Sequence, residues 1–175
     1  MRQLILGGAR SGKSRIAQER AEAWREQTGG ALYYLATASA GDDEMRARIN
    51  QHRADRDSRW QTLEEPIALA ATLKQYRDQP VCILVDCLTL WISNCLHQNV
   101  WQQERDALLA EIDAQVAMGS ALTLILVSNE VGSGVVPLGQ LSREFVDASG
   151  WLHQALAARF NTVTLVVAGL PLSLK

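Results

Sequence analysis

Apolar residues are gathered into short blocks along the chain, and longer stretches of mixed polarity separate them. Gln3–Leu6, Ala31–Ala36, Val81–Asp86, Leu122–Val127 and Thr162–Val167 are rich in Leu, Ile, Val or Tyr with little polar alternation. Strands buried on both faces of a parallel sheet read this way. The stretches between them, Lys13–Gln27, Asp42–Arg56, Ile67–Arg77, Leu88–Met118 and Leu138–Arg159, carry helical spacing. Leu88–Met118 is too long for one ordinary helix and is expected to break near His97–Val100. Gly119 closes that region, and Pro66 is expected in the first turn of the third helix. Trp60–Leu63 reads as a further short strand, and the tail from Gly169 to Lys175 as an edge strand. Strands alternating with helices predict one three-layer α/β domain over residues 1–175, its crossovers right-handed.

The connection after the first strand carries the clearest chemistry. Gly7-Gly8-Ala9-Arg10-Ser11-Gly12-Lys13-Ser14 is a complete G-x-x-x-x-G-K-[ST] phosphate loop between a strand and a helix. Its glycines let backbone N–H groups turn toward phosphate oxygens. Lys13 reaches the β- and γ-phosphates, and the Ser14 hydroxyl is a ligand for Mg²⁺. The helix opening at Lys13 adds its positive dipole end. This motif assigns the α/β architecture to the phosphate-loop NTPase, RecA-like kind, with a mostly parallel sheet. The chain is expected to bind a nucleoside triphosphate.

Composition narrows the setting. The 175 residues are 47% hydrophobic and 21% charged with a net charge of −2, so no global field recruits nucleic acid. Cys82, Cys87 and Cys95 form an odd set without zinc-ligand spacing, as expected of reduced thiols in a cytoplasmic protein. The N-terminus has no signal-peptide pattern, and no apolar run approaches the ~20 residues that span a bilayer.

Parallel α/β sheets bind ligands at the carboxyl ends of their strands, so the residues following each strand are the candidates. Ala36-Thr37-Ala38 ends the second strand. Asp86 ends Val81–Val85 at the position where a carboxylate holds Mg²⁺ opposite Ser14; the same residue could instead cap the following helix. Ser128-Asn129-Glu130-Val131-Gly132 is a polar loop after the fourth long strand and lacks the Asn-Lys-x-Asp pattern that reads guanine. Arg46, Arg48, Arg53, Arg56 and Arg59 fall within fourteen residues, either a solvated helix end or a second anion site. His52 shares a helical face with Met45 and Ile49, which alone reads as a packed histidine as readily as a nucleophile. Glu64 or Glu65 could meet the ribose or base. His97 falls near the helix break, and His153 lies far along the last helix from any strand end. Trp24, Trp91, Trp101 and Trp151 read as core or subunit contacts. These residues admit a kinase of some small metabolite, with the arginines holding its acceptor. They also admit a nucleotide-dependent regulatory ATPase, although such proteins usually append partner domains.

Taken together the motifs resemble one family, the bifunctional adenosylcobinamide kinase/adenosylcobinamide-phosphate guanylyltransferases of cobalamin biosynthesis. The resemblance runs through Gly7 to Arg15, Tyr34-Leu35-Ala36-Thr37-Ala38, Asp42-Asp43-Glu44-Met45-Arg46-Ala47-Arg48-Ile49 and His52-Arg53-x-x-Arg56. It continues in Trp60-x-Thr62-x-Glu64 and Ser128-Asn129-Glu130-Val131-Gly132-x-Gly134-x-Val136-Pro137. The resemblance implies two reactions. The γ-phosphoryl group of ATP or GTP passes to the aminopropanol hydroxyl of adenosylcobinamide. GTP then guanylylates a histidine, whose GMP passes to adenosylcobinamide phosphate to give adenosylcobinamide-GDP. It implies His52 as that histidine and Lys13 as its catalytic companion. It implies nucleotide contacts along Gly7–Ser14 and from Ala36, Thr37, Ala38, Arg53, Ala54, Asp55, Arg56, Glu64 and Asp86. It also implies a homotrimer. Asp57 follows Arg56 where members often carry proline. A helix from Asp42 would set His52 roughly 15 Å beyond the strand ends. The segment Asp42–Arg59 is therefore expected to move when GTP binds, or the site to be shared between subunits.

Overall fold

The computed structural model describes residues 1–38 and 58–175. The expected helix Asp42–Arg56, with His52 and its arginines, lies outside them. Seven strands are described: β1 (Arg2–Gly7), β2 (Ala31–Ala36), β3 (Trp60–Glu64), β4 (Val81–Asp86), β5 (Thr123–Asn129), β6 (Thr162–Val167) and β7 (Leu170–Ser173). They form one sheet in the order β3-β2-β4-β5-β1-β6-β7. All neighbours are parallel except β6 and β7, which form an antiparallel hairpin at the edge. The helices are α1 (Lys13–Thr28), α2 (Leu69–Tyr76), α3 (Leu88–His97), α4 (Trp101–Ala117) and α5 (Gln140–Arg159).

Side-chain alternation along the buried strands sorts the core into two layers. Leu4, Leu6, Ile83, Val85, Leu124 and Leu126 pack with α2 through α5. Ile5, Tyr34, Ala36, Cys82, Leu84, Ile125 and Val127 pack with Ile16, Ala17 and Ala21 of α1. Apolar residues on both faces leave no polar stripe, which is why the central strands lack alternation. Trp91 and Trp101 meet edge to face at 5.6 Å inside the larger layer, whereas Trp151 is exposed. All three cysteines are free thiols, and burial pushes Cys82 and Cys95 up to about 12. Among the described residues no helix is long and apolar enough to cross a membrane.

Several boundaries move for identifiable reasons. The expected break divides Leu88–Met118 into α3 and α4 at Asn99, whose φ is +58°, and Gly119 closes α4 at φ +64°. Pro66 stands ahead of the third helix rather than in its first turn. There the Glu65 carboxylate accepts the Ile67 and Ala68 N–H groups at 2.9 and 2.7 Å, holding a separate turn before α2 begins at Leu69. β5 runs two residues beyond its apolar block, since Ser128 and Asn129 still pair with Leu6 and Gly7.

Candidate functional site

The same alternation decides which residues look into the crevice above α1. On β1 Ile5 faces α1, so Gly7 does too; on β4 Cys82 and Leu84 face α1, and so does Asp86. Ala36 on β2, Glu64 on β3 and Asn129 on β5 follow by the same count. Register brings them level: Ala36 pairs with both Glu64 and Asp86, and Gly7 pairs with Asn129. Four adjacent strands and the phosphate loop thus present Glu64, Ala36, Asp86, Asn129 and Gly7 along one rim, on the face where α1 begins.

The phosphate loop is braced from within and from the hairpin. A Cβ at Gly7 would lie 2.5 Å from the Ser11 Oγ and 2.6 Å from the Val166 carbonyl, so no larger residue fits. Gly12 takes φ +94°, which a glycine adopts without cost, and Arg10 takes φ +55°. Ser11 N–H donates to the Gly8 carbonyl at 3.2 Å, closing the turn. The buried Lys13 folds back to donate from Nζ to that same Gly8 carbonyl at 3.0 Å. Its ammonium therefore stands over the loop. From outside, Gly169 N–H donates to the Ser11 carbonyl at 2.8 Å, and Arg15 donates to the Gly169 carbonyl at 3.2 Å. Ala168 and Gly169, at φ +52° and +80°, form the tight turn of the β6–β7 hairpin, and this turn clamps the phosphate loop.

The far side of the crevice is fixed by polar ties between strand ends. The fully buried Thr37 donates from Oγ1 to the Cys87 carbonyl at 2.7 Å and accepts from the Cys87 N–H at 3.0 Å. Asn94 on α3 donates to the Thr37 and Pro66 carbonyls. Thr37's hydroxyl is thus committed to joining β2 to the end of β4. The helix-capping alternative for Asp86 fails, because Cys87 occupies the N-cap of α3 and no side chain caps it. Among the described residues the Asp86 carboxylate makes no hydrogen bond or ion pair. At β5, Asn129 N–H donates to Thr89 Oγ1 at 2.8 Å, and Glu130 N–H donates to the Gly7 carbonyl at 3.1 Å.

His153 corrects an expectation. It lies beside a strand end after all: α5 runs back along the sheet, and His153 Nε2 shares a 2.8 Å hydrogen bond with the buried Ser128 Oγ. Burial drives its pKa down to about 4 against the smaller opposing pull of Glu130. The ring is neutral at physiological pH.

Comparison with known proteins places this geometry. The profile of the family described as cobinamide kinase / cobinamide phosphate guanyltransferase matches residues 3–174. The chain belongs to that family. It is 54% identical to the bifunctional adenosylcobalamin biosynthesis protein CobP of Pseudomonas aeruginosa, over 100% of this chain and 98% of that protein. It is 37% identical to CobU of Escherichia coli, a protein of the same description, with 98% of each chain covered. Two solved structures share the fold alone. They are the ATPase domain of a RecA-like helicase and the flagellar accessory protein FlaH from Methanocaldococcus jannaschii, each with a TM-score of 0.50 at 13% identity. Each likeness covers 94% of this chain, and 68% and 70% of those chains respectively. The fold is therefore that of the phosphate-loop ATPases. The protein is a bifunctional kinase and guanylyltransferase of cobalamin biosynthesis, and its substrates include nucleotides.

Of the residues expected in this family's site, the structure gathers Gly7 to Ser14, Ala36, Glu64 and Asp86 at one end of the sheet. Thr37 and Ala38 follow directly from β2 at that end. His52, Arg53, Ala54, Asp55 and Arg56 lie outside the described residues. Two features went unread. The Ala168-Gly169 turn between two apolar runs carried a hairpin signal, but nothing local told where the hairpin docks. The Ser128–His153 pair left no local trace, since its partners are 25 positions apart and meet only through the docking of α5.

Proposed function

We propose that the rim from Glu64 to Gly7 seats the triphosphate for both reactions of the family. The observation that carries this reading is that Asp86 stands, without a capping role, on the same face as Lys13 and Ser14. The amide-lined loop and the Lys13 ammonium hold the β- and γ-phosphates, and the α1 N-terminus adds its dipole. Lys13 leaves the Gly8 carbonyl for a phosphate oxygen, which needs only side-chain rotation. Ala36, Thr37 and Ala38 line the nucleotide through backbone and small side chains, and Glu64 meets the ribose or base at the outer edge of the row.

Ser14 and Asp86 would hold Mg²⁺. Both are hard oxygen donors, and magnesium takes one or two protein ligands beside phosphate and water rather than a protein cage. When bound, the ion would offset negative charge on the phosphate oxygens. Asp86, placed level with Ala36 and facing α1, keeps its carboxylate available for that purpose.

The acceptor in the kinase reaction is the hydroxyl of adenosylcobinamide, and its phosphate is the acceptor of GMP. His52 is the residue that carries GMP: a neutral imidazole is nucleophilic near neutral pH, and a phosphoramidate divides the transfer into two easier steps. Arg53 and Arg56 offset charge on the phosphates, and Ala54 and Asp55 lie between them in the nucleotide contact. His52 reaches the α-phosphate through movement of Asp42–Arg59 or from a neighbouring subunit of a homotrimer. Light scattering should then give three times the mass of one chain; a monomer would remove the second route. Free thiols at all three cysteines accord with work in the reducing cytoplasm.

The test separates the two chemistries. His52→Ala should abolish GMP transfer while leaving phosphorylation of adenosylcobinamide, and Lys13→Ala should lower both, by at least about 100-fold for the charge it removes. Equal loss of both activities in His52→Ala would assign His52 a structural role instead.

A further inference from the structure

We infer that Asn129 contacts the γ-phosphoryl group in the kinase reaction, as a catalytic residue that the guanylyl transfer does not use. This rests on the seating of the triphosphate proposed above. Strand order puts β5 between β1, which leads into the phosphate loop, and β4, which ends in Asp86. Adjacent strands lie about 4.8 Å apart, so a gap of roughly 10 Å separates the two outer strands, with the end of β5 at its centre. Asn129 is the last residue of β5 and faces α1, as Asp86 and Gly7 do. Asp86 is level with Val127, so Asn129 stands one side-chain repeat further toward the crevice.

Its backbone is held from three sides. Ser128 is tied to His153 at 2.8 Å, Asn129 N–H to Thr89 Oγ1 at 2.8 Å, and Glu130 N–H to the Gly7 carbonyl at 3.1 Å. These ties all use the neighbours or the main chain. The carboxamide itself is half-buried and makes no hydrogen bond among the described residues. Glu130, the other polar group of the loop, turns away to accept the Gly132 N–H at 2.7 Å. A positioned amide between a lysine and a carboxylate suits an oxygen of the terminal phosphate. Nδ2 can donate to it without adding a charge that would compete with Lys13.

In the step concerned, the acceptor hydroxyl oxygen bonds to the γ-phosphorus and the bond to the β–γ bridging oxygen breaks. The nucleoside diphosphate leaves, and the hydroxyl proton passes to solvent. Asn129 donates to an equatorial oxygen throughout. Reaction at the α-phosphorus happens two phosphates away and does not engage it.

Asn129→Ala keeps the N–H that binds Thr89, so the loop has its anchors. With ATP and adenosylcobinamide, its kinase kcat should fall about 100-fold with KM for ATP changed less than about threefold. Labelling of the protein by α-labelled GTP should persist. Asn129→Asp, the same shape without the donor, should lose kinase activity at least as strongly. A kinase kcat close to that of the unaltered protein, or loss of both activities together, would overturn the inference. If the unaltered protein takes no α-label, it is the guanylyl-histidine reading that fails, and the kinase measurements still decide Asn129.

Discussion

Glycine stands at position 7 because the loop folds against its own Ser11 and against the backbone of β6. The nearer obstacle, a serine hydroxyl, can rotate; the Val166 carbonyl at 2.6 Å cannot, since it belongs to a strand paired with β1. Gly7→Ala is therefore expected to displace the phosphate loop, weakening nucleotide binding by at least about tenfold and costing roughly 1–3 kcal/mol of stability as overpacking does. Calorimetric titration with GTP checks the first, and urea unfolding the second. His153 makes a prediction of a different kind. Its folded pKa, about 4, lies below the ordinary value of 6.5. Between those values the unfolded chain binds a proton that the folded chain refuses, so stability must fall as pH falls from 6.5 toward 4. Urea midpoints over that range should drop more steeply for the unaltered protein than for His153→Gln, which keeps a polar partner for Ser128 and does not titrate. Parallel slopes would contradict a buried neutral His153. The phosphate loop was legible in the sequence because its chemistry is contiguous. The histidine was not, because its partner is fixed by how one helix lies on the sheet.

At the scale of elements, strands were easier to read than the places where they stop. Apolar runs located β1, β2, β4, β5 and β6, since burial on both faces demands such runs. Polar residues continue β5 to Asn129, and only pairing with Gly7 reveals this. Glu65 likewise replaces the expected proline start of α2, because its carboxylate takes two N–H groups that a helix would have used differently. Between helices, Arg77 at the end of α2 forms a largely buried ion pair with Glu111 of α4. Gln115 donates to the same carboxylate at 3.0 Å. Removing one member of such a pair leaves the other charge buried alone. Glu111→Ala should thus cost about 3 kcal/mol in urea unfolding, well above the effect of truncating an exposed pair such as Arg15–Glu19. A loss under about 1 kcal/mol would mean that water reaches Arg77 readily.

For the whole molecule, the layers put the chemistry at one end. α1 covers one face of the central strands, α2 to α5 cover the other, and the carboxyl ends of the strands converge on the phosphate loop. Neither the strand order nor the facing of Asp86 and Asn129 could be read from spacing alone, since parity has meaning only once a sheet assigns its faces. The central claim is that this one triphosphate site, together with His52, serves two phosphorus atoms. Incubation of the protein with α-labelled GTP tests it most directly. The account predicts label held on the protein through base and lost in acid, as a phosphoramidate behaves, absent from His52→Ala, which still phosphorylates adenosylcobinamide. Label that survives acid, or that persists in His52→Ala, would contradict it.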